Sequence, residues 1–179
     1  MILTLKLNAR LQPIHRYELE DALQEILEKE HMGEVTGGGT AQNADGEVAY
    51  CDIEIHLLND KLDGEKWLAG LLNHIGIPKG SVLQGLEPEI EVGTLEGLAY
   101  YSNSVDLPDE VYKTCDINYV IEQMELAMDG IGRMYSYWEG AASTALYFYG
   151  SSFSTMKQKI EPFISTYPLC KESRIEQIA

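Results

Sequence analysis

The chain has 179 residues, 45% of them apolar and 23% charged, enough to pack one large domain or two small ones. Asp plus Glu number 29 against 13 Lys plus Arg, a formal net charge of -16. Such a field repels phosphate backbones and anionic lipid, so it argues against nucleic acid and membrane surfaces and favours a basic protein partner. Solubility alone is the alternative account of the acidity.

Residues 2–11 alternate, with Leu3, Leu5 and Leu7 on one face and Thr4 and Lys6 on the other, which predicts a strand. A helix is expected from His15 to Glu30, where Leu19, Ala22, Leu23, Ile26 and Leu27 recur at helical spacing. GEVTGGGTAQNADGEVAYCDIEIHLL predicts a hairpin whose turn uses Asn43, Asp45 and Gly46. Its second strand points Cys51, Ile53, Ile55 and Leu57 inward and Asp52, Glu54 and His56 outward. Gly64 to Ile75 predicts a second helix with Trp67, Leu68, Leu71, Leu72 and Ile75 on one side, ended by Pro78, Lys79 and Gly80. SVLQGLE closes a β-α-β-β-α-β order.

The second half repeats the order without repeating the sequence. GLAYYSNSVDL predicts a strand and LPDEVYKTC a connection to a helix over Asp116–Asp129, with Asp116 as N-cap. That helix buries Ile117, Val120, Ile121, Met124 and Met128. RMYSYWEG and STALYFYG predict two strands, and Ser151 or Ser152 caps a last helix carrying Phe153, Met156, Ile160, Phe163 and Ile164. Pro162 within it predicts a kink. SRIEQIA supplies a short closing strand. The expected fold is α+β, two tandem ferredoxin-like units with antiparallel sheets, residues 1–86 and 92–179, joined by the acidic segment 87–91.

Cys51, Cys115 and Cys170 are widely spaced, with no CxxC, and Met1 leads straight into a strand. Three free thiols in a reducing compartment follow, and a cytoplasmic location is expected. No apolar run approaches the ~20 residues of a membrane span.

The stretch RMYSYWEGAASTALYFYG carries the candidate binding residues. As strands, it places Tyr135 with Tyr137 on one face and Tyr147 with Tyr149 on one face, while Leu146 and Phe148 point to the helices. Tyrosine suits interfaces and clefts because a large apolar ring carries a polar tip. Burial of the rings between sheets is the alternative. Trp138 and Glu139 sit beside them at the turn. Glu139 is the lone acidic residue between Met134 and Lys157, a setting expected to raise a carboxyl pKa and suit acid–base work. A surface turn carboxylate is the alternative.

Gly37–Gly39 lacks the G-x-x-x-x-G-K-[ST] spacing of a phosphate loop, so a bulge or a close backbone approach is expected there. His15, His31, His56 and His74 form no HxH or HExxH arrangement, and no nucleophile motif occurs. Cys115 beside a helix start gains from the helix dipole and loses to Asp116, with burial as an ordinary small residue the alternative. No cofactor and no metal site are expected.

The blocks LPDEVYKTCDINYV, YWEG–TALYFYG and YPLC, with ELEDAL, GEVTGGGT and CDIEI, resemble a group of bacterial proteins with no established activity. The resemblance spans most of the chain and implies no functional residues. Toxin-neutralising immunity proteins offer an analogy of class, being small, acidic and cytosolic. Three readings follow. One is an immunity-type inhibitor that blocks a basic toxin domain with its charge and its tyrosines. Another is a small-molecule or enzymatic cleft lined by Tyr137, Tyr147, Tyr149 and Glu139. The third is a homodimer burying the tyrosine faces.

Overall fold

The computed structural model describes residues 1–58 and 63–179, which form two units divided between Leu95 and Glu96. The N-terminal unit contains β1 (Ile2–Leu7), α1 (Pro13–Lys29), β2 (Gly33–Gln42), β3 (Val48–Leu57), α2 (Gly64–Ile75), β4 (Ser81–Gln84) and β5 (Ile90–Val92). Its antiparallel sheet runs β2-β3-β1-β4-β5. The C-terminal unit contains β6 (Glu96–Asn103), α3 (Asp109–Thr114), α4 (Ile117–Ala127), β7 (Gly132–Glu139), β8 (Ser143–Gly150), α5 (Phe153–Ile164) and β9 (Arg174–Gln177). Its sheet runs β7-β8-β6-β9, again antiparallel. The strand that follows the last helix lies beside the first strand in both sheets, β4 beside β1 and β9 beside β6, so the chain is α+β with two tandem ferredoxin-like units, the first extended by β5. The segment 87–91 is more than a joining segment, because Ile90 and Glu91 pair with Leu83 and Val82 as part of β5.

In the N-terminal unit the alternation of β1 and β3 decides the layers. Leu3, Leu5, Leu7, Ile53 and Ile55 are fully buried, with Leu23 and Leu27 of α1 and Leu68 and Leu72 of α2. The opposite face carries Ile2, Lys6 and Tyr50 in the open, with the Lys6 ammonium 4.7 Å from the Tyr50 ring centroid. Ala22, expected inside, is exposed, while Arg16 is buried. Gly76, left-handed at φ 79°, ends α2 ahead of the expected Pro78–Gly80.

Arg16 explains the middle one of the three glycines, Gly38. Its Nε donates to Glu20 Oε1 at 2.7 Å and its Nη1 to Thr40 Oγ1 at 2.6 Å, an ion pair lying on β2. A Cβ at Gly38 would strike Glu20 Oε1 and sit 2.8 Å from the Asp52 carbonyl oxygen. The strand also shifts register between Val35 and Gly37. Both a bulge and close approach are therefore present: Gly38 lets a helix-borne ion pair rest against strand backbone, and a Cβ at Gly39 would meet the Asp52 carboxylate.

In the C-terminal unit Leu98, Tyr100, Leu146 and Phe148 pack against Val120 and Met124 of α4 and Met156 and Ile160 of α5. Asp116 caps α4, Oδ1 accepting from the Asn118 N–H at 2.8 Å, and the Ser152 hydroxyl caps α5 by accepting from Thr155 N–H at 3.3 Å. Pro162 falls in the last turn of α5, where only one backbone bond is forfeited, and its carbonyl accepts from the Ser165 hydroxyl at 2.9 Å. No helix among the described residues is long and apolar enough to cross a membrane.

Gly38→Ala should destabilise the chain by about 1–3 kcal/mol, because the added methyl displaces the ion pair or the strand. Gly37→Ala meets nothing within 4 Å and should stay within about 0.5 kcal/mol. Urea denaturation of the two variants measures the difference, and equal losses would disprove the packing role assigned to Gly38.

Candidate functional site

The site begins with one irregularity in β7. Met134 pairs with Phe148, but the next pair is Ser136 with Tyr147, so Tyr135 is an extra residue in a β-bulge. Beyond it the register sets Tyr137 opposite Leu146, Trp138 opposite Ala145 and Glu139 opposite Thr144. Directly paired residues share a face, so the bulge turns Tyr137 and Glu139 to the helix side with Leu146. The expectation that Tyr135 and Tyr137 share a face is corrected for that reason. Tyr135 stays on the other side, edge-on to Tyr149 at 5.4 Å with the Arg133 guanidinium 4.6 Å from its centroid.

On the helix side the strand ends of β6, β7 and β8 and the α3–α4 junction enclose a cavity of about 580 Å3. Met134, Leu146, Leu169, Ile117 and Ile121 give it apolar walls. Asp116 and Glu139 supply two carboxylates, Tyr112 and Tyr137 two phenols, and Asn103 and Asn118 two amides. Cys115, half-buried at the end of α3, contributes its thiol. Among the described residues the lining holds no Lys, Arg or His.

Local hydrogen bonds hold these groups in place. The Tyr112 hydroxyl accepts from Leu107 N–H at 2.9 Å and donates to the Asn103 carbonyl at 3.3 Å. Asn103 Oδ1 accepts from the N–H groups of Val105 and Asp106, both at 3.0 Å. The Asp116 N–H donates to the Tyr167 hydroxyl at 3.1 Å. Glu139 is exposed and enters no ion pair or side-chain hydrogen bond among the described residues. It is a surface carboxylate at the cavity's edge, the alternative that the sequence left open for it.

Tyr137 and Glu139 are thus the two candidate residues brought together in one cavity. Trp138 is half-buried, its ring lying over the position a Gly140 side chain would occupy. Tyr147 and Tyr149, at 0% and 1% exposed, are not presented to solvent. The sequence reading missed Tyr112 because it treated LPDEVYKTC as a connection, and it missed Asn103 and Asn118 because only the fold brings a strand end and a helix start to one cavity. A signal was there: Pro108 followed by Asp109 and Glu110, with Lys113 in the last turn, is the charge pattern of a short helix. In the N-terminal unit, His56 Nδ1 lies 3.5 Å from Glu34, and the Thr36 hydroxyl donates to Glu54 at 2.6 Å on the outward face. No group of donors suited to a metal ion occurs among the described residues.

The Tyr100 hydroxyl is fully buried beside the Cys170 thiol and the Ser173 hydroxyl, but neither is placed to make a well-formed hydrogen bond with it. Burial first, and then the Cys170 thiol beside it, push its pKa far above the ordinary 10.0. Burial also raises Cys170, which the Tyr100 hydroxyl partly offsets.

No family model and no curated protein sequence matches the chain. Among solved structures it is similar to a Fusobacterium nucleatum protein whose name suggests a monooxygenase. That pair shares 12% identity, covering 98% of this chain and 89% of that one, at a TM-score of 0.33. It is also similar to the first two RRM domains of yeast poly(U)-binding protein, at 11% identity, 100% and 99% coverage and a TM-score of 0.26. Likenesses this weak carry nothing about function.

Tyr100→Phe keeps the ring and removes the orphaned hydroxyl, so stability near pH 7 should hold or rise by up to about 1 kcal/mol. The raised folded-state pKa means that the unfolded chain ionises first. That contribution is complete below the ordinary value of 10.0 and is lost as pH climbs from there toward the folded value. The variant should accordingly lose less stability than the parent above that pH. Chemical denaturation at neutral and alkaline pH measures both, and a large neutral-pH loss in the variant would show that the hydroxyl is bonded.

Proposed function

We propose that this chain is an acidic cytoplasmic protein-binding module, an inhibitor of immunity type that blocks a basic toxin domain. The observation that carries this reading is the α3–α4 surface. Between Asn103 and Gly130 the chain bears Asp106, Asp109, Glu110, Asp116, Glu122, Glu125 and Asp129 against a single Lys113. Set among them are Val105, Tyr119 and Leu126, exposed by 54%, 43% and 64%. Apolar side chains left open inside a one-signed field suit a partner of opposite charge, the field hastening encounter and the apolar groups slowing release. Nuclease-type toxins present basic grooves to phosphate, and an acidic surface competes for such grooves. The buried Tyr147 and Tyr149 shift the expected interface from the tyrosine face to this one, and leave a tyrosine-faced homodimer with less support.

Tagged protein retrieved from its host should carry one stoichiometric basic partner, and the complex should weaken as salt rises. Glu122→Lys combined with Glu125→Lys should slow association by about tenfold or more, with dissociation little changed. Recovery of no basic partner at low salt would sink the proposal.

A second reading is favoured by the cavity itself. Its volume of about 580 Å3 lies within the range of small-molecule sites, roughly 300–1,000 Å3. A ligand held there should raise the melting temperature, and Tyr137→Ala should abolish the rise. An unchanged rise in that variant would place the ligand elsewhere.

A further inference from the structure

The composition of the cavity identifies the class of group it would hold. We infer that the C-terminal cavity takes an organic cation, a guanidinium or ammonium group on an apolar stem. This rests on the reading of the cavity as a ligand site and does not require the protein partner. Two carboxylates, Asp116 and Glu139, line the cavity, and among the described residues no cationic side chain does. Neither carboxylate is in an ion pair among the described residues; Asp116 spends Oδ1 on capping α4, which leaves its second oxygen and the whole of Glu139 open to a cation. An anion entering would meet two like charges and no counter-charge. A neutral ligand would draw nothing from the two carboxylates, which stand exposed at the cavity's rim.

The remaining lining fits the same chemistry. Tyr112 and Tyr137 add aromatic lining, and a cation held against an aromatic ring gains about 0.5–2 kcal/mol depending on desolvation. Met134, Leu146 and Ile121 provide a surface for three or four methylenes behind the charged head. A shallower hollow of about 360 Å3 shares Asn118 and Ile121 with the cavity and adds Glu122, Glu125 and Asp129, so the approach is anionic as well. Such a head on such a stem occurs as an arginine or lysine side chain of a partner, or as a free alkylamine or alkylguanidine.

The test uses the whole chain and three probes of matched shape: n-butylguanidinium, its neutral isostere n-butylurea, and butyrate. Binding is followed by amide resonances of the cavity residues. Butylguanidinium should shift Asn118, Tyr137 and Glu139 saturably, and the other two should not. Asp116→Asn with Glu139→Gln should weaken that binding by about tenfold or more, as expected when charge-assisted bonds are lost. Asn serves as an N-cap as well as Asp does, so α4 should persist and the comparison stays valid. Butylurea binding as tightly as butylguanidinium would overturn the inference and leave a neutral ligand site. Silence from all three probes would overturn the inference together with the cavity reading. A blocked Gly-Arg-Gly peptide separates the sources: tighter binding than butylguanidinium marks a partner side chain, and equal or weaker binding marks a free cation.

Discussion

The C-terminal unit depends on one inserted residue. A regular β7 would have placed Tyr135 opposite Tyr147 and Tyr137 opposite Ala145, sending both rings to the face away from the helices. The extra residue at Tyr135 changes the parity of every position after it, because side chains in a strand alternate with a period of two. Tyr137 and Glu139 then face the helices, where the α3–α4 junction leaves room for them. The bulge sits at the sheet edge, on a strand that pairs only with β8, where a change of register disturbs one ladder and not two. Met134, before the bulge, keeps its place in the core.

Once that parity is set, the two faces of the sheet part in character. The helix face ends in a cavity with polar groups at its rim, while the other closes over aromatic rings. Both faces carry tyrosine, and only position along the strand separates a buried ring from one at a cavity mouth. Tyr100 shows the tension. It stands in the helix-side core with its hydroxyl orphaned, whereas Tyr112, a short way off in sequence, has both a donor and an acceptor for its own. An unpaired buried hydroxyl is unfavourable by about 1–3 kcal/mol, so neighbouring contacts must offset it.

Much of this fold was legible from period alone. Leu3, Leu5 and Leu7 alternate, Val120, Met124 and Met128 recur at helical spacing, and Asp116 and Ser152 announce helix starts; each is a local signal governed by local sterics. The capping serines and the glycines of β2 were readable for the same reason. The bulge was not, since nothing in MYSYWE distinguishes a regular strand from one with an extra residue. Its cause is the meeting of β7 with β8 and the helices above, which is tertiary. Arg16 was opaque in the same way: a cation on the apolar side of α1 reads as an error until Glu20 and Thr40 are seen to receive it. The acidity was legible as a total and illegible as a distribution, because the gathering of carboxylates around α3 and α4 needs the helix that the sequence hid in LPDEVYKTC.

The distribution also bears on what the cavity does. All four histidines lie in the N-terminal unit, at positions 15, 31, 56 and 74. Proton transfer near neutral pH relies most often on imidazole, or on a carboxyl displaced upward by burial. Glu139 is exposed, and Asp116 is committed to capping α4 through Oδ1. Tyr112 and Asn103 are likewise tied to backbone groups, which makes them rigid and leaves them little freedom to shuttle protons. Fixed dipoles, fixed charge and a shaped apolar wall are what recognition needs, since a rigid site loses little entropy when it closes on its ligand.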